Sequence, residues 1–338
     1  MRVTIKDVAS KANVSPSTVS RVLAGNGRIG KDTIIRVRKV LDELGYHPHH
    51  AAQGLVRRTT STLGISLPRS ANDMFGNFFF PELMRGISSR ASRAGYDILM
   101  TTASQEREEL AALARIVRGR RVDGVILLSS REDDPLIRLL EEEGFPYVLI
   151  GRHEGSARAL SVDTDNIKAA YELTQHLIAQ GNRRIGFIGG PAHVMVHRDR
   201  RQGYLQAMSE ARYAVKEEWI IDSELLQESS FRAISMLMEL EERPTALVVI
   251  DDAVCFGVLR GLGELGYQVP RDISLAAFNN IALSELSTPS LTSVDIGTYQ
   301  LGYTAAHSLL QLLSREEVDR QRYIIPHRLI VRESSLRG

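Results

Sequence analysis

The sequence predicts an α/β protein: a small all-α head at the N-terminus, then a parallel-sheet core of two lobes. Three observations predict it. Short helical patterns fill roughly the first 45 residues with no strand between them. From Leu63 onward, apolar runs alternate with helical patterns, the mark of βα units. Those units are too many for one compact sheet.

The head reads as follows. Thr4-Ile5-Lys6-Asp7-Val8-Ala9-Ser10-Lys11-Ala12 is a short helix with Thr4 and Asp7 spaced as a capping box variant and Ile5, Val8 and Ala12 as its seam. Asn13 and Val14 make the turn, since Asn tolerates a left-handed backbone. Ser15 is a good N-cap and Pro16 suits the first helical position, so a second helix begins there. Val19, Val22 and Leu23 share one face, leaving Ser17, Thr18 and Arg21 on a polar, cationic one. Two helices on so tight a turn form a helix-turn-helix, which presents the start of its second helix to a DNA major groove. An αα-hairpin of an ordinary bundle is the alternative. A third helix runs from about Lys31 to Leu44, apolar at Ile34, Val37, Leu41 and Leu44 and ended by Gly45.

Residues 46–62 are polar at both ends and read as a linker containing a marginal helix. Its His47-Pro48-His49-His50 cluster has no cysteine or second histidine cluster beside it, so no metal is expected. Core strands are expected at 63–67, 97–101, 122–128, 147–150, 184–188, 246–250 and 273–278, with short strands again at 291–294 and 322–331. Helices are expected at about 81–94, 106–118, 134–143, 166–180, 200–211, 229–241 and 253–265. The second lobe is expected to start near Ser161-Val162-Asp163.

Over the 338 residues the formal charge is +1, but residues 1–60 hold 11 Lys and Arg against 4 Asp and Glu, a net +7. The rest carries −6. A basic head suits a polyanion, because neutralising phosphates supplies sequence-independent DNA affinity; a solvated charged face accounts for part of it. The single Cys255 cannot form an internal disulfide. There is no signal-peptide pattern, and no stretch approaches the ~18 apolar residues of a membrane span. The expected compartment is the cytoplasm, with no membrane partner.

Thr4-Ile5-Lys6-Asp7-Val8-Ala9, Val14-Ser15, Thr18-Val19-Ser20-Arg21-Val22-Leu23, Leu44-Gly45-Tyr46 with Pro48, Arg121-Val122-Asp123-Gly124, Arg184-Ile185-Gly186-Phe187-Ile188-Gly189-Gly190-Pro191 and Pro289-Ser290-Leu291-Thr292-Ser293-Val294 together resemble the LacI/GalR family of bacterial transcription repressors over essentially the whole chain. The resemblance implies a DNA-binding head, a hinge helix and a core like a periplasmic sugar-binding protein, with three crossovers between lobes, here near residues 160, 291 and 323. The implied domains are a head (1–46), a hinge and linker (47–60), a first lobe (61–160 with 292–322) and a second lobe (161–291 with 323–338). It implies DNA contacts by Thr4, Pro16, Ser17, Thr18, Ser20, Arg21, Ala52 and Leu55, with Leu55 wedged into the minor groove. Gly54 weakens that hinge by roughly 1 kcal/mol relative to Ala, and His49 stands where the family often has Asn or Ser. Implied partners are an operator in double-stranded DNA, a small-molecule effector and a second copy of the chain.

The cleft should be lined by loops at the carboxyl ends of the strands. Phe79, Phe80, Arg198, Asp251 and Asn279 lie on such loops and suit a polyhydroxylated ligand, with rings for C–H faces and forked polar groups for hydroxyls. By family register Arg198 stands where sugar-responsive members have a hydroxyl-binding arginine, while Val194 and Val196 occupy positions used by purine-responsive members. Arg131-Glu132-Asp133-Asp134-Pro135, Phe278-Asn279-Asn280 and Leu291-Thr292-Ser293-Val294-Asp295-Ile296 are similar to regulators of maltose and maltodextrin operons. Gly261-Leu262-Gly263-Glu264-Leu265-Gly266 matches a dinucleotide fingerprint, but it closes a helix where that motif must open one. No nucleophile elbow, metal constellation or phosphate loop appears, so neither an enzyme nor a cofactor is expected. A ligand-responsive repressor is the leading expectation; a periplasmic-type solute-binding protein is the alternative from another class.

Overall fold

The computed structural model describes residues 3–23, 29–46, 59–67, 78–103, 105–153, 159–222, 234–316 and 321–337. The hinge residues Ala52 and Leu55, with Gly54 and the histidine cluster, lie outside them. The chain forms two compact units, Met1–Ser61 with Arg120–Asp123, and the remainder.

In the first unit α1 (Ile5–Ala12), α2 (Pro16–Leu23) and α3 (Lys31–Leu44) enclose one small core of Val8, Ala9, Ala12, Val19, Val22, Val37, Val40 and Leu41. The Asp7 carboxylate accepts the Thr4 N–H at 2.8 Å and the Thr4 hydroxyl at 2.7 Å, and these bonds hold its pKa below the ordinary carboxylate value. Asn13 takes the left-handed conformation (φ 52°) at the turn and Gly45 does so after α3 (φ 58°). Asp123, from the Arg-Val-Asp-Gly motif, accepts the N–H groups of Thr60 (2.6 Å) and Ser61 (2.8 Å), which ties down the end of the linker.

The second unit holds two six-stranded sheets. Its elements in chain order are β1 (Thr62–Ser66), α4 (Phe79–Arg93), β2 (Asp97–Thr101), α5 (Glu106–Arg118), β3 (Gly124–Leu127), α6 (Pro135–Glu142), β4 (Tyr147–Ile150), β5 (Leu160–Thr164) and α7 (Asn166–Ala179). There follow β6 (Ile185–Gly189), α8 (Met195–Glu210), β7 (Ile220–Asp222), β8 (Ala246–Val249), α9 (Asp252–Glu264), β9 (Ser274–Phe278), α10 (Ala282–Leu286), β10 (Thr292–Asp295), α11 (Thr298–Leu313), β11 (Arg322–Ile325) and β12 (Arg328–Ile330). The sheet orders are β11-β5-β4-β3-β1-β2 and β12-β10-β9-β8-β6-β7, parallel throughout except that β12 runs antiparallel to β10. Strands such as β3, β4 and β8 are buried end to end, as in a sheet covered by helices on both faces.

The sheet changes correct the expected crossovers at 160, 291 and 323. Each falls a few residues later, at 165, 296–297 and 326–327. The cause is pairing: β5, β10 and β11 each complete a ladder in one sheet before the chain leaves it. So β5 and β11 belong to the first lobe and β10 to the second. The run expected as one strand at 322–331 is two, broken at Pro326-His327. Helix α4 crosses α11 closely enough that a Cβ on Gly86 would lie 2.1 Å from the Tyr299 carbonyl oxygen and one on Gly302 2.1 Å from that of Leu83.

Candidate functional site

The carboxyl ends of strands from both sheets converge on a cavity of about 200 Å³, the place where open parallel sheets bind ligands. The first lobe contributes the Leu128–Arg131 turn, Ile150, Gly151, Asp163 and Thr164, together with Phe79 and Phe80 in the first turn of α4. The second contributes Asn166, Val194, Val196, His197, Arg200, Ile250, Asp251 and Asn279. Phe79 and Phe80 meet edge to face, centroids 5.1 Å apart.

Arg200 is the hub. Its place follows from the inward stripe of α8: Tyr204, stacked on Phe187 and donating to the Ile185 carbonyl at 2.7 Å, lies one turn on, with Ala207 and Met208 beyond. Arg200 donates from Nε to Asn166 Oδ1 (3.0 Å), from Nη1 to the Ile250 carbonyl (2.6 Å) and from Nη2 to Asn279 Oδ1 (3.5 Å), and it lies over the Phe278 ring at 4.2 Å. Burial pulls its pKa down to about 10, against the pull of Asp251, Asp252, Asp163 and Asp199, so it stays protonated at neutral pH. Asn279 donates from Nδ2 to the Asp251 carboxylate and holds a left-handed backbone (φ 97°), strain of the kind stored at binding sites. Asp251 also caps α9, accepting the Ala253 N–H at 2.6 Å, so it anchors the helix and lines the cavity at once. Burial pushes Asp163 up to about 6, opposed by the Thr164 N–H and Arg322.

Four of the five expected effector residues, Phe79, Phe80, Asp251 and Asn279, line this cavity. Arg198 does not. Two residues from Arg200, about 200° around a helix of 3.6 residues per turn, it faces away and pairs with Glu132 at 3.2 Å, with 40% of its side chain exposed. The signal for Arg200 was in the sequence: it lies three and four residues before Gly203 and Tyr204, on the same stripe. Asp163, Asn166 and His197 were also missed.

On the head, Pro16, Ser17 and Arg21 are exposed at and near the start of α2. Ser15 caps it, accepting the Thr18 N–H at 3.1 Å, and its hydroxyl also bonds those of Ser17 (2.7 Å) and Thr18 (2.9 Å). Thr4 serves as the α1 cap. The fingerprint-like glycines behave as expected from their context: Gly261 and Gly263 lie within the end of α9, and Gly266 follows with φ 83°.

A helix-turn-helix head and a two-sheet core whose cavity pairs aromatic walls with a polar network define a ligand-binding DNA-binding regulator. Residues 4–49 match the model described as bacterial regulatory proteins, lacI family, and residues 174–335 the periplasmic binding protein-like domain. The transcriptional regulator MalR of Streptococcus pneumoniae is 35% identical, covering 98% of this chain and 99% of its own. A putative LacI transcriptional regulator from Bacillus cereus subsp. cytotoxis is 41% identical with TM-score 0.78, covering 81% of this chain and 97% of its own. A CelR–cellobiose complex is 30% identical with TM-score 0.77, covering 98% and 100%. The chain belongs to the lacI family and is a DNA-binding transcriptional regulator.

Proposed function

We propose that this regulator is a homodimeric repressor of a sugar-utilisation operon, acts in the cytoplasm, and is released from its operator by maltose or another α-glucoside bound between the lobes. The observation that carries the reading is the cavity itself: an aromatic pair from one lobe faces an Arg200–Asp251–Asn279 network from the other. Sugars present C–H faces and paired hydroxyls, which such walls match. Val194 and Val196 in the wall offer no hydrogen bonds from their side chains to a nucleobase edge. Effector contacts are assigned to Phe79, Phe80, Asp251 and Asn279, with Arg200 in place of Arg198 and with Asp163 and Asn166 added.

Base readout is assigned to Ser17, Thr18 and Arg21, with an apolar contact from Pro16, further contacts from Thr4 and Ser20, and the hinge pair Ala52 and Leu55 in the minor groove. A second reading concerns the effector alone: the relative solved with cellobiose favours a β-linked disaccharide in the same walls. Calorimetric titration of the purified protein with maltose and with cellobiose decides between them. Heat of binding from maltose only is expected; binding of cellobiose alone reassigns the linkage, and binding of neither removes the disaccharide.

A further inference from the structure

The two lobes are joined by the three crossovers and also by a second set of contacts that no crossover explains. The turn after β3 meets the start of α8 as a short antiparallel bridge, Arg131 opposite Val194. Glu132 N–H donates to the His193 carbonyl at 3.2 Å and Met195 N–H to that of Ser130 at 3.1 Å. Beside it Arg152, just after β4, reaches across to Asp199 on α8 as a two-pronged pair, with Nε to Oδ2 at 2.6 Å and Nη2 to the other oxygen. Only 17% of the Arg152 side chain and 4% of the Asp199 side chain are exposed. Ser130 donates its hydroxyl to the Arg152 carbonyl, which binds the two first-lobe turns into one edge. Arg198 with Glu132 adds an exposed pair on the same seam.

A buried ion pair costs desolvation that apolar packing would avoid, so its presence is weak evidence of stability. Here it joins side chains of the two lobes, Arg152 just after β4 and Asp199 on α8. Neither Arg152 nor Asp199 lines the cavity, whereas their neighbours Ser130, Arg131, Gly151, Val194 and Arg200 do. We infer that Arg152 and Asp199 are positioning residues of the cleft: with the main-chain bridge they latch the lobes closed over the cavity and set how fast a bound effector leaves. This rests on the cleft being the effector site, but the latch itself can be read without any ligand. A contact made in one state alone shifts the equilibrium by its whole differential free energy.

The test uses the full chain with dyes on cysteines replacing Arg118 in the first lobe and Arg260 in the second, both largely exposed; native Cys255 is buried and out of reach. Without ligand, energy transfer should report a single distance, and Asp199→Asn and Arg152→Gln should each add a longer one. The double variant, which leaves no unpaired charge, should open less than the sum of the two singles. Maltose release by stopped flow should speed up about tenfold or more in either single variant, as expected when one partner of a buried charge pair is removed. Distances in both single variants identical to the parent's would overturn the latch. A parent chain that binds neither maltose nor cellobiose would defeat the effector reading, and the distance measurement would still decide the latch.

Discussion

Replacing Arg200 by Met, against a control of Arg198→Ala, separates the two arginines of α8. Arg200 is 4% exposed and donates to three acceptors, Asn166 at the start of α7, the Ile250 carbonyl after β8 and Asn279 after β9. Methionine keeps most of the volume but removes the cation that the Asp251, Asp252, Asp163 and Asp199 carboxylates face. Removing one partner from a buried charged network costs about 3–5 kcal/mol. The Arg198–Glu132 pair is 40% and 66% exposed, and such surface pairs contribute about 0–1 kcal/mol. Urea denaturation should therefore show Arg200→Met weaker by about 3–5 kcal/mol and Arg198→Ala within about 1 kcal/mol of the parent. Calorimetry should show sugar binding lost in the first and kept in the second. The opposite pattern, with Arg198→Ala abolishing binding and Arg200→Met tolerated, would refute the placement of the hub.

Further outcomes follow from other parts of the chain. Ser17→Ala should change the preferred base at one operator position in a binding-site selection; a uniform loss over all sequences would mean phosphate contact only. Gly86→Ala, whose Cβ would meet the Tyr299 carbonyl at 2.1 Å, should destabilise the core by about 1–3 kcal/mol in thermal unfolding. Asp252 accepts Ile281 N–H at 2.9 Å and the Ser284 and Ser293 hydroxyls at 2.7 Å each, yet burial pushes its pKa up to about 7. An acid whose pKa is raised on folding favours the folded state fully below its unfolded pKa, and that contribution is lost as pH rises through about 7. Asp252→Asn should therefore gain stability relative to the parent between pH 4 and pH 8, and a difference that does not change with pH would contradict the assignment.

Most elements were legible because their signals are local: the Thr4–Asp7 box, Ser15-Pro16, the Asn13 turn and the Gly45 stop act within one turn of chain. The lobe boundaries were less so. Leu160–Thr164 reads equally well as the end of one lobe or the start of the next, and only its ladders with β4 and β11 decide, the latter with a strand some 160 residues on. Asp251 and Asn279 were legible as loop residues after strands, since a parallel sheet presents those loops at one edge, whereas Phe79 and Phe80, expected on a loop, stand in the first turn of α4. Family register points to Arg198, whereas the helical phase of Gly203, Tyr204 and Ala207 points to Arg200. Asp163 and Asn166 were hidden by their position at a crossover, where residues from the end of a strand and the next helix turn into the cavity. The Arg152–Asp199 pair has no sequence signal, because nothing local links the two positions.

The central claim is that the cavity and the head are coupled, and coupling between two sites is reciprocal. Maltose titrated into the free protein and into its operator complex measures it directly. Sugar should bind the complex more weakly, by the same factor by which saturating sugar weakens operator binding, with a coupling of about 1–3 kcal/mol. Equal sugar affinities in the two titrations would mean that the cleft does not control the head.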